Sequence, residues 1–542
     1  MKHITFLYKY SVKYKFRLFT ALICLTFVSL SNLMYPWLFK LIVDSFNGSI
    51  AGNLSIPHIT VILLGVIFLS TILGYYTHTI LNELGSRLRN DIRNEYFRTI
   101  INKPLSFFSG EAVGNLSSRA TEDIGKLQPL FTGLVAPVYQ NILFITGCLA
   151  LMFMLNITAT FIVLLIILIP LPIMLYFSKK IRLLSSESQM EHAFANAVME
   201  ETLFGIREVK AFLLEKFRAG KYAEKSSGAL TKEMKLSRFQ AKSTQSVYLI
   251  LSVTLIVIFY LGTSKTASWS AGDTIAFFFY TYSLTMAILS IGRAYSSYNG
   301  IIGSTSRIVE LLNESDSEIH DIVIPDEKKI MGRVEFRKVS FAYNKERQIL
   351  NGISFSVNGG GWLLITGPSG SGKSTIANLL LGFYNPSGGV ILIDGKNLTG
   401  YDIKTLRKQI GYVPQEALLF NGTIKENILL TNQDITSERL TAVLKICLLD
   451  GFIKSLPEGL ETNISERGIT LSAGQRSRIA IVRAIINDPS ILILDEANSM
   501  LENSLEKILW QNLRMERENK TTIIFSHHTE NIPGIYKHFN LA

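Results

Sequence analysis

Cysteine is scarce in this chain, three residues in 542, too few for a disulfide framework. Charge is scarce as well. Asp, Glu, Lys and Arg make up 18% of the residues, against about 25% in an ordinary soluble domain. Acidic residues are missing from the whole stretch before Asp44, which carries Lys2, Lys9, Lys13, Lys15 and Arg17. The histidines show no metal-binding spacing. Apolar residues are plentiful: 48% hydrophobic content and a mean hydropathy of +0.27 exclude a disordered chain. Basic residues exceed acidic ones, 54 to 43, giving a net charge of +11 and a pI near 9.3. A basic chain points to nucleic acid or to a membrane, and the placement of the charges decides between them. At about 150 residues per domain, the length allows three or four domain-sized units.

The residues up to about 325 alternate long apolar runs with charged stretches. Crossing the hydrocarbon core as a helix takes about 20 apolar residues. Six runs qualify, at about 18–43, 57–82, 131–155, 157–177, 246–264 and 274–292. Pro36 inside the first is read as a kink tolerated by a packed bundle. The first run is too long for a signal peptide and lacks a small-residue cleavage pattern after Pro36, so it is expected to be retained. Ser45 to Pro57 carries no charge, and Asn156-Ile157-Thr158 is a short uncharged link. By contrast, the stretch after the second run holds Arg87, Arg89, Arg93, Arg98, Lys103, Arg119 and Lys126, and Lys179 to Lys242 holds thirteen basic residues. The last outer loop has only Lys265 and Asp273. Basic loops alternating with near-neutral ones predict a multi-pass protein of the cell inner (cytoplasmic) membrane with both termini cytoplasmic. About +8 of the +11 falls in residues 1–325, so the positive charge is a topological signal and no nucleic-acid partner is expected. Few ionisable residues lie deep in any run, which argues against a proton relay.

The polar stretches 84–130 and 179–245 repeat Leu, Ile and Phe at helical spacing, as at Phe194, Val198, Leu203 and Ile206. They are expected to be helices projecting well into the cytoplasm. The predicted divisions are a membrane domain over 1–312, an acidic linker over 313–332 containing Asn313-Glu314-Ser315-Asp316-Ser317-Glu318, and an α/β domain over 333–542 with short β-rich runs, glycine turns and interleaved helices.

Gly367-Pro368-Ser369-Gly370-Ser371-Gly372-Lys373-Ser374-Thr375 fits the phosphate-loop pattern G-x-x-x-x-G-K-[ST]. It follows a strand-like run, Trp362 to Thr366, and precedes a helix-like one, Ile376 to Leu381. Glycines at such a junction let backbone N–H groups wrap phosphates at a helix N-terminus. Lys373 is placed to reach the β- and γ-phosphates, and the Ser374 hydroxyl to ligate Mg²⁺. A second signal is Ile491-Leu492-Ile493-Leu494-Asp495-Glu496, a buried strand ending in two acids. Buried acids are costly unless they bind a cation or do chemistry. Asp495 fits a ligand of the Mg²⁺ shell and Glu496 a general base for water.

Between these sites Leu471-Ser472-Ala473-Gly474-Gln475-Arg476 resembles the LSGGQ signature of ATP-binding-cassette (ABC) ATPases. Gln415, in Val413-Pro414-Gln415-Glu416, resembles the Q-loop glutamine of that family; His527 resembles its switch histidine, and Tyr343 the aromatic residue that stacks on adenine. In the front half, Phe107-Phe108, Gly114 to Arg119, Asp123, Glu201, Gly205-Ile206, Val209-Lys210 and Phe212 resemble the exporter pattern. The resemblance covers nearly the whole chain and implies a half-transporter of the exporter type, six spans followed by one ATPase domain. It implies ATP and Mg²⁺ as cofactors, with Gln415 beside Ser374 and Asp495 at the metal, and catalysis by Glu496 and His527. It also implies that two ATPase domains close head to tail, so that Ser472, Gly474 and Gln475 serve the ATP held on the partner. The partners expected are therefore a second copy or another half-transporter, membrane lipid and a transported substrate.

Three departures stand out. Glu502 ends Ser499-Met500-Leu501-Glu502 where the family usually has Asp, His528 stands where it has Arg, and Ala473 replaces a glycine. Fifteen residues follow His527 where the family continues with two strands and a helix, so the ATPase domain is read as shortened. The expected activity is ATP-driven export by alternating access of a peptide (a bacteriocin or lantibiotic), a drug or a lipid. A lipid flippase and an inactive remnant are the alternatives. No N-terminal cysteine peptidase of the kind found in some peptide exporters is expected. Cys24, Cys148 and Cys447 are read as small buried residues, Trp37 as an interfacial anchor, and Phe277 to Tyr282 as helix packing or a substrate path.

Overall fold

The computed structural model describes residues 2–541 apart from 47–55, 111–112, 169, 264–268, 314–328, 344–346, 431, 433, 465–470, 497–502 and 527–536. The described chain forms two compact units. One comprises Met1–Arg98 with Gly114–Glu314, the other Thr99–Val113 with Ser315–Ala542.

The first unit is helical. Its elements, with one short helix of the second unit between them, run α1 (Lys2–Val12), α2 (Lys15–Phe46), α3 (Ile56–Ile101), α4 (Leu105–Gly110, second unit), α5 (Val113–Ser118), α6 (Ala136–Leu155), α7 (Ile157–Leu168), α8 (Pro170–Phe204), α9 (Ile206–Ala211), α10 (Glu215–Thr263) and α11 (Ala271–Asn313). Arg119–Asp123 and Leu130–Val135 are π-helical turns. Stretches long and apolar enough to cross a membrane are Lys15–Phe46, Ile56–Ile101, Leu130–Leu155, Glu215–Tyr260 and Ala271–Asn313. The expected run 157–177 is helical in α7 (Ile157–Leu168) and again from Pro170 in α8, with residue 169 outside the described residues. At 1.5 Å per residue, α3 and α10 extend about 69 and 74 Å. That is more than twice the about 30 Å of hydrocarbon, so each has a long extramembrane portion, as its charge pattern predicts.

Polar contacts fasten these helices in groups. Arg17 pairs with Glu83 at 3.0 Å, Lys13 and Tyr14 both reach Asp91 at 2.8 Å, and Tyr10 donates to Glu95. The rungs climb one face of α3 at helical spacing and dock α1 and the start of α2 on it. Lys232–Glu187 at 2.8 Å and Arg218–Glu201 at 2.9 Å tie α10 to α8. The apolar stripe expected on α8 is only partly buried. Leu184, Ala195 and Val198 are buried, whereas Phe194 is 54% and Leu203 61% exposed. A cluster of Leu33, Cys148, Met152, Val163, Ile258, Phe277 and Tyr280 forms the centre of the spanning part. The aromatic run of α11 therefore divides: Phe277 and Tyr280 pack inside this unit, and Phe278, Phe279 and Tyr282 face outward. Cys148 is buried as expected and Cys24 is half-buried.

At the far ends of α2 and α11 the polar groups converge. Lys40 pairs with Asp273 at 2.6 Å, with its ammonium 4.8 Å from the Trp37 ring. The buried Asp44 accepts the Gly272 N–H at 3.0 Å. Asp44 lies in the last turn of α2, where a carboxylate opposes the dipole of its own helix, but it faces the N-terminus of α11, where the dipole favours it.

The second unit is α/β. Its remaining elements are β1 (Val334–Phe341), β2 (Leu350–Val357), β3 (Trp362–Thr366), α12 (Lys373–Leu380), β4 (Gly388–Ile393), β5 (Lys396–Asn397), α13 (Ile403–Lys408), β6 (Ile410–Val413), β7 (Gly422–Thr423), α14 (Ile424–Ile428), α15 (Ser437–Ile446), α16 (Asp450–Ser455), β8 (Asn463–Ile464), α17 (Ala473–Ile485), β9 (Ile491–Asp495), α18 (Asn503–Glu516), β10 (Thr521–Phe525) and β11 (Lys537–Asn540). The central parallel sheet has the order β11-β3-β10-β9-β6. Strands β3, β9 and β10 are buried along their whole length, which is why they read as unbroken apolar runs. An antiparallel sheet, β2-β1-β4-β5, stands beside it. One core lies among β6, β9, α14, α15, α17 and α18, and includes the buried Cys447. The other joins the antiparallel sheet to β3 and α12.

Candidate nucleotide site

The site forms where the parallel strands end. β3 gives way to the loop Gly367–Gly372, and α12 begins at Lys373. Gly370 and Gly372 take φ of +80° and +100°, a region that side chains rarely adopt. Gly367 is fixed by space: a Cβ there would sit 2.6 Å from the Leu541 carbonyl oxygen and 2.7 Å from Ser371 Oγ. The Ser371 Oγ is buried with no hydrogen-bond partner. A cradle of backbone N–H groups with one orphaned hydroxyl suits a phosphate.

Lys373 is buried, and its ammonium donates to the Gly367 and Pro368 carbonyls at 2.8 and 3.1 Å. The same ammonium lies 3.8 Å from Glu496. β9 delivers Asp495 and Glu496. Asp495 is 2% exposed, and burial pushes its pKa up, opposed by the Ser374 hydroxyl bonded to it and by Lys373. Glu496 follows the strand with φ of +50°, and its N–H donates to the Phe525 carbonyl at 3.0 Å. Its carboxylate accepts from Gln415 Nε2 at 2.7 Å.

Lys373, Ser374, Gln415, Asp495 and Glu496 thus converge from the phosphate loop, the segment after β6, and β9. Tyr343 lies against the side of α12, where its hydroxyl is 3.3 Å from both Thr375 Oγ1 and Asn378 Nδ2. Ser369, like the rest of the loop, lies at the start of α12. Ser472 and Gln475 do not join this group. They cap α17 reciprocally: Ser472 N–H donates to Gln475 Oε1 at 2.8 Å, and Gln475 N–H to Ser472 Oγ at 3.2 Å. Gly474 lies in that first turn. His527, His528 and Glu502 lie outside the described residues.

For Mg²⁺, the Ser374 hydroxyl and the Asp495 carboxylate are a hard oxygen pair already in contact. Among the described residues no cluster of three His, Cys, Asp or Glu could hold a metal unaided. Two protein oxygens completed by substrate phosphates and water is a donor set that fits Mg²⁺.

Sequence reasoning missed Asn378 and Tyr384. Asn378 was legible as a lone polar residue in an apolar helical run. Tyr384, whose ring lies 5.1 Å from that of Tyr343 at 89°, had no local signal.

Fold and site together define a phosphate-loop nucleotide-binding domain joined in one chain to a helical membrane domain. Family profiles agree: the ABC transporter transmembrane region matches residues 18–289, and the ABC transporter profile residues 350–499. A putative export ATP-binding/permease protein of Rickettsia conorii is 30% identical over 97% of this chain and 91% of its own length. The ABC-type oligopeptide transporter ABCB9 of Mus musculus is 32% identical over 82% of this chain, which spans 58% of that relative's length. A bacterial Atm1-family ABC exporter with ATP bound shares the fold at a TM-score of 0.81 and 23% identity, covering 95% of this chain and 91% of the other. The chain belongs to the ABC transporter family. It is a multi-pass membrane protein with an ABC ATP-binding domain.

Proposed function

We propose that this chain is one half of an ATP-driven exporter of the cytoplasmic membrane. Two copies, or this chain and another half-transporter, close their ATPase domains around ATP and alternate the access of a substrate path. The observation that carries the reading is the convergence of Lys373, Ser374, Asp495 and Glu496 at the end of a parallel sheet, in a chain that also holds long apolar helices. In this reading Lys373 and the loop amides bind the β- and γ-phosphates. Tyr343 stacks on adenine. Glu496 takes a proton from the attacking water, and His527 completes the catalytic group. Bound Mg²⁺ would neutralise phosphate charge beside Ser374, Gln415 and Asp495. Ser472, Gly474 and Gln475, in the first turn of α17, serve the other subunit's nucleotide in this reading. The cytoplasmic placement of both termini rests on the Lys and Arg bias of the loops.

The substrate proposed is a peptide such as a bacteriocin or lantibiotic, a drug or a lipid. The peptide option rests on the oligopeptide transporter among the relatives, and the outward direction on the putative export ATP-binding/permease protein of Rickettsia conorii. The test is ATP hydrolysis by the purified protein in lipid vesicles, alone and with candidate partner subunits. The expected result is vanadate-sensitive turnover that Glu496→Gln lowers by about 10²–10⁴-fold. Absence of hydrolysis under every pairing would sink the proposal.

A further inference from the structure

Tyr343 belongs to the segment that follows β1, yet its tip is fastened to α12. Its hydroxyl lies 3.3 Å from Thr375 Oγ1 and accepts from Asn378 Nδ2 at 3.3 Å. Thr375 and Asn378 stand three residues apart in α12, on one face of the helix. The ring packs edge-to-face with Phe341, 4.8 Å between centroids at 87°, and with Tyr384, 5.1 Å at 89°. Ring contacts of this kind hold the plane of the side chain. The two polar contacts add a fixed point for its tip.

α12 also begins with Lys373, whose ammonium is bonded to carbonyls of the phosphate loop. Asn378 is five residues further on, about 7.5 Å along the helix axis. One rigid element therefore carries the cation that meets the phosphates and the amide that holds the ring for the base. Asn378 is half-buried, whereas its neighbours Ala377, Leu379 and Leu380 are buried. Asn is a poorer helix former than Ala, so helix formation does not call for an amide here.

We propose that Asn378 is a positioning residue for nucleotide binding: through the Tyr343 hydroxyl it presets the ring on which adenine stacks. The proposal rests on the reading of Tyr343 as the adenine platform. A ring set before the base arrives spares the complex part of the cost of ordering that side chain, and the saving appears as affinity. Without the amide, Thr375 is the remaining polar hold on the tip. The loss falls on the base, because the loop amides and Lys373 bind the phosphates without Asn378.

The experiment is titration calorimetry on the full chain in lipid discs with Mg²⁺, using a non-hydrolysable ATP analogue and inorganic tripolyphosphate. Asn378→Ala is expected to weaken the analogue by about two- to tenfold, the net worth of one hydrogen bond, and to leave tripolyphosphate affinity as in wild type. A merely structural role would weaken both ligands together. Tyr343→Phe keeps the ring and removes the hydroxyl. It is expected to weaken the analogue at least as much, and Asn378→Ala to add nothing in that background, because the amide acts through the hydroxyl. Unchanged analogue affinity in Asn378→Ala, equal weakening of both ligands, or additive losses in the double variant overturns the proposal. Tyr343→Ala separates the two readings. An analogue that binds Tyr343→Ala as tightly as wild type overturns the adenine reading, and the proposal with it. Weakening by Tyr343→Ala beside unchanged affinity in Asn378→Ala overturns the positioning role alone.

Discussion

Gln415 Nε2 donates to the Glu496 carboxylate at 2.7 Å, and Lys373 stands 3.8 Å from the other oxygen of the same group. The proposed base is thus held between an amide and an ammonium. Glu496→Gln keeps the size of the side chain and removes its basicity. Hydrolysis is expected to fall by about 10²–10⁴-fold, the usual worth of a general base. Binding of a fluorescent ATP analogue is expected to persist, because the loop and Lys373 are untouched. Phosphate release and analogue titration measure the two effects separately.

Asp495 predicts a pH dependence. Burial lifts its pKa above the ordinary 3.8 in the folded chain. Between the two values the folded state holds a proton that the unfolded state has released. Stability of the metal-free protein is therefore full below the ordinary aspartate value and falls as pH rises through the raised one. Asp495→Asn removes this slope. Thermal unfolding followed from below the ordinary aspartate value upward in pH, without Mg²⁺ or nucleotide, checks the sign. A wild-type curve as flat as the variant's would contradict it.

Gly272 predicts a packing effect far from ATP. A Cβ there would lie 2.5 Å from Asp44 Oδ1 and 2.6 Å from the Lys40 carbonyl oxygen. Gly272→Ala must push α2 and α11 apart, at a cost of about 1–3 kcal/mol. Asp44→Ala in the same chain makes room, so the double variant is expected to lose less than the sum of the two single losses. Unfolding midpoints of the four proteins give the coupling.

Much of this was legible in the sequence, and the reasons are specific. Trp362–Thr366 and Ile491–Asp495 are strands buried on both faces, so apolar runs bounded by glycine or acid give away their ends. The long helices announce themselves by length and hydropathy. The outward-facing Phe194 and Leu203 show the limit of periodicity, which identifies a helix face without saying what covers it. Within the site, each motif was found singly. The Gln415–Glu496 grip spans 81 residues and the Tyr343–Asn378 contact 35, and pairings at such range leave no local trace.

The phosphate loop is completed by the edge strand beside it. β11 pairs with β3, His538 Nε2 lies 2.7 Å from Thr366 Oγ1 across 172 residues of chain, and the Leu541 carbonyl closes over Gly367. Parallel pairing at that separation forms slowly. The loop therefore cannot settle until nearly the whole of this unit has been assembled around it. On refolding, the first appearance of nucleotide binding would time the docking of residues 537–541, making the ligand a stopwatch for the end of folding as much as a fuel.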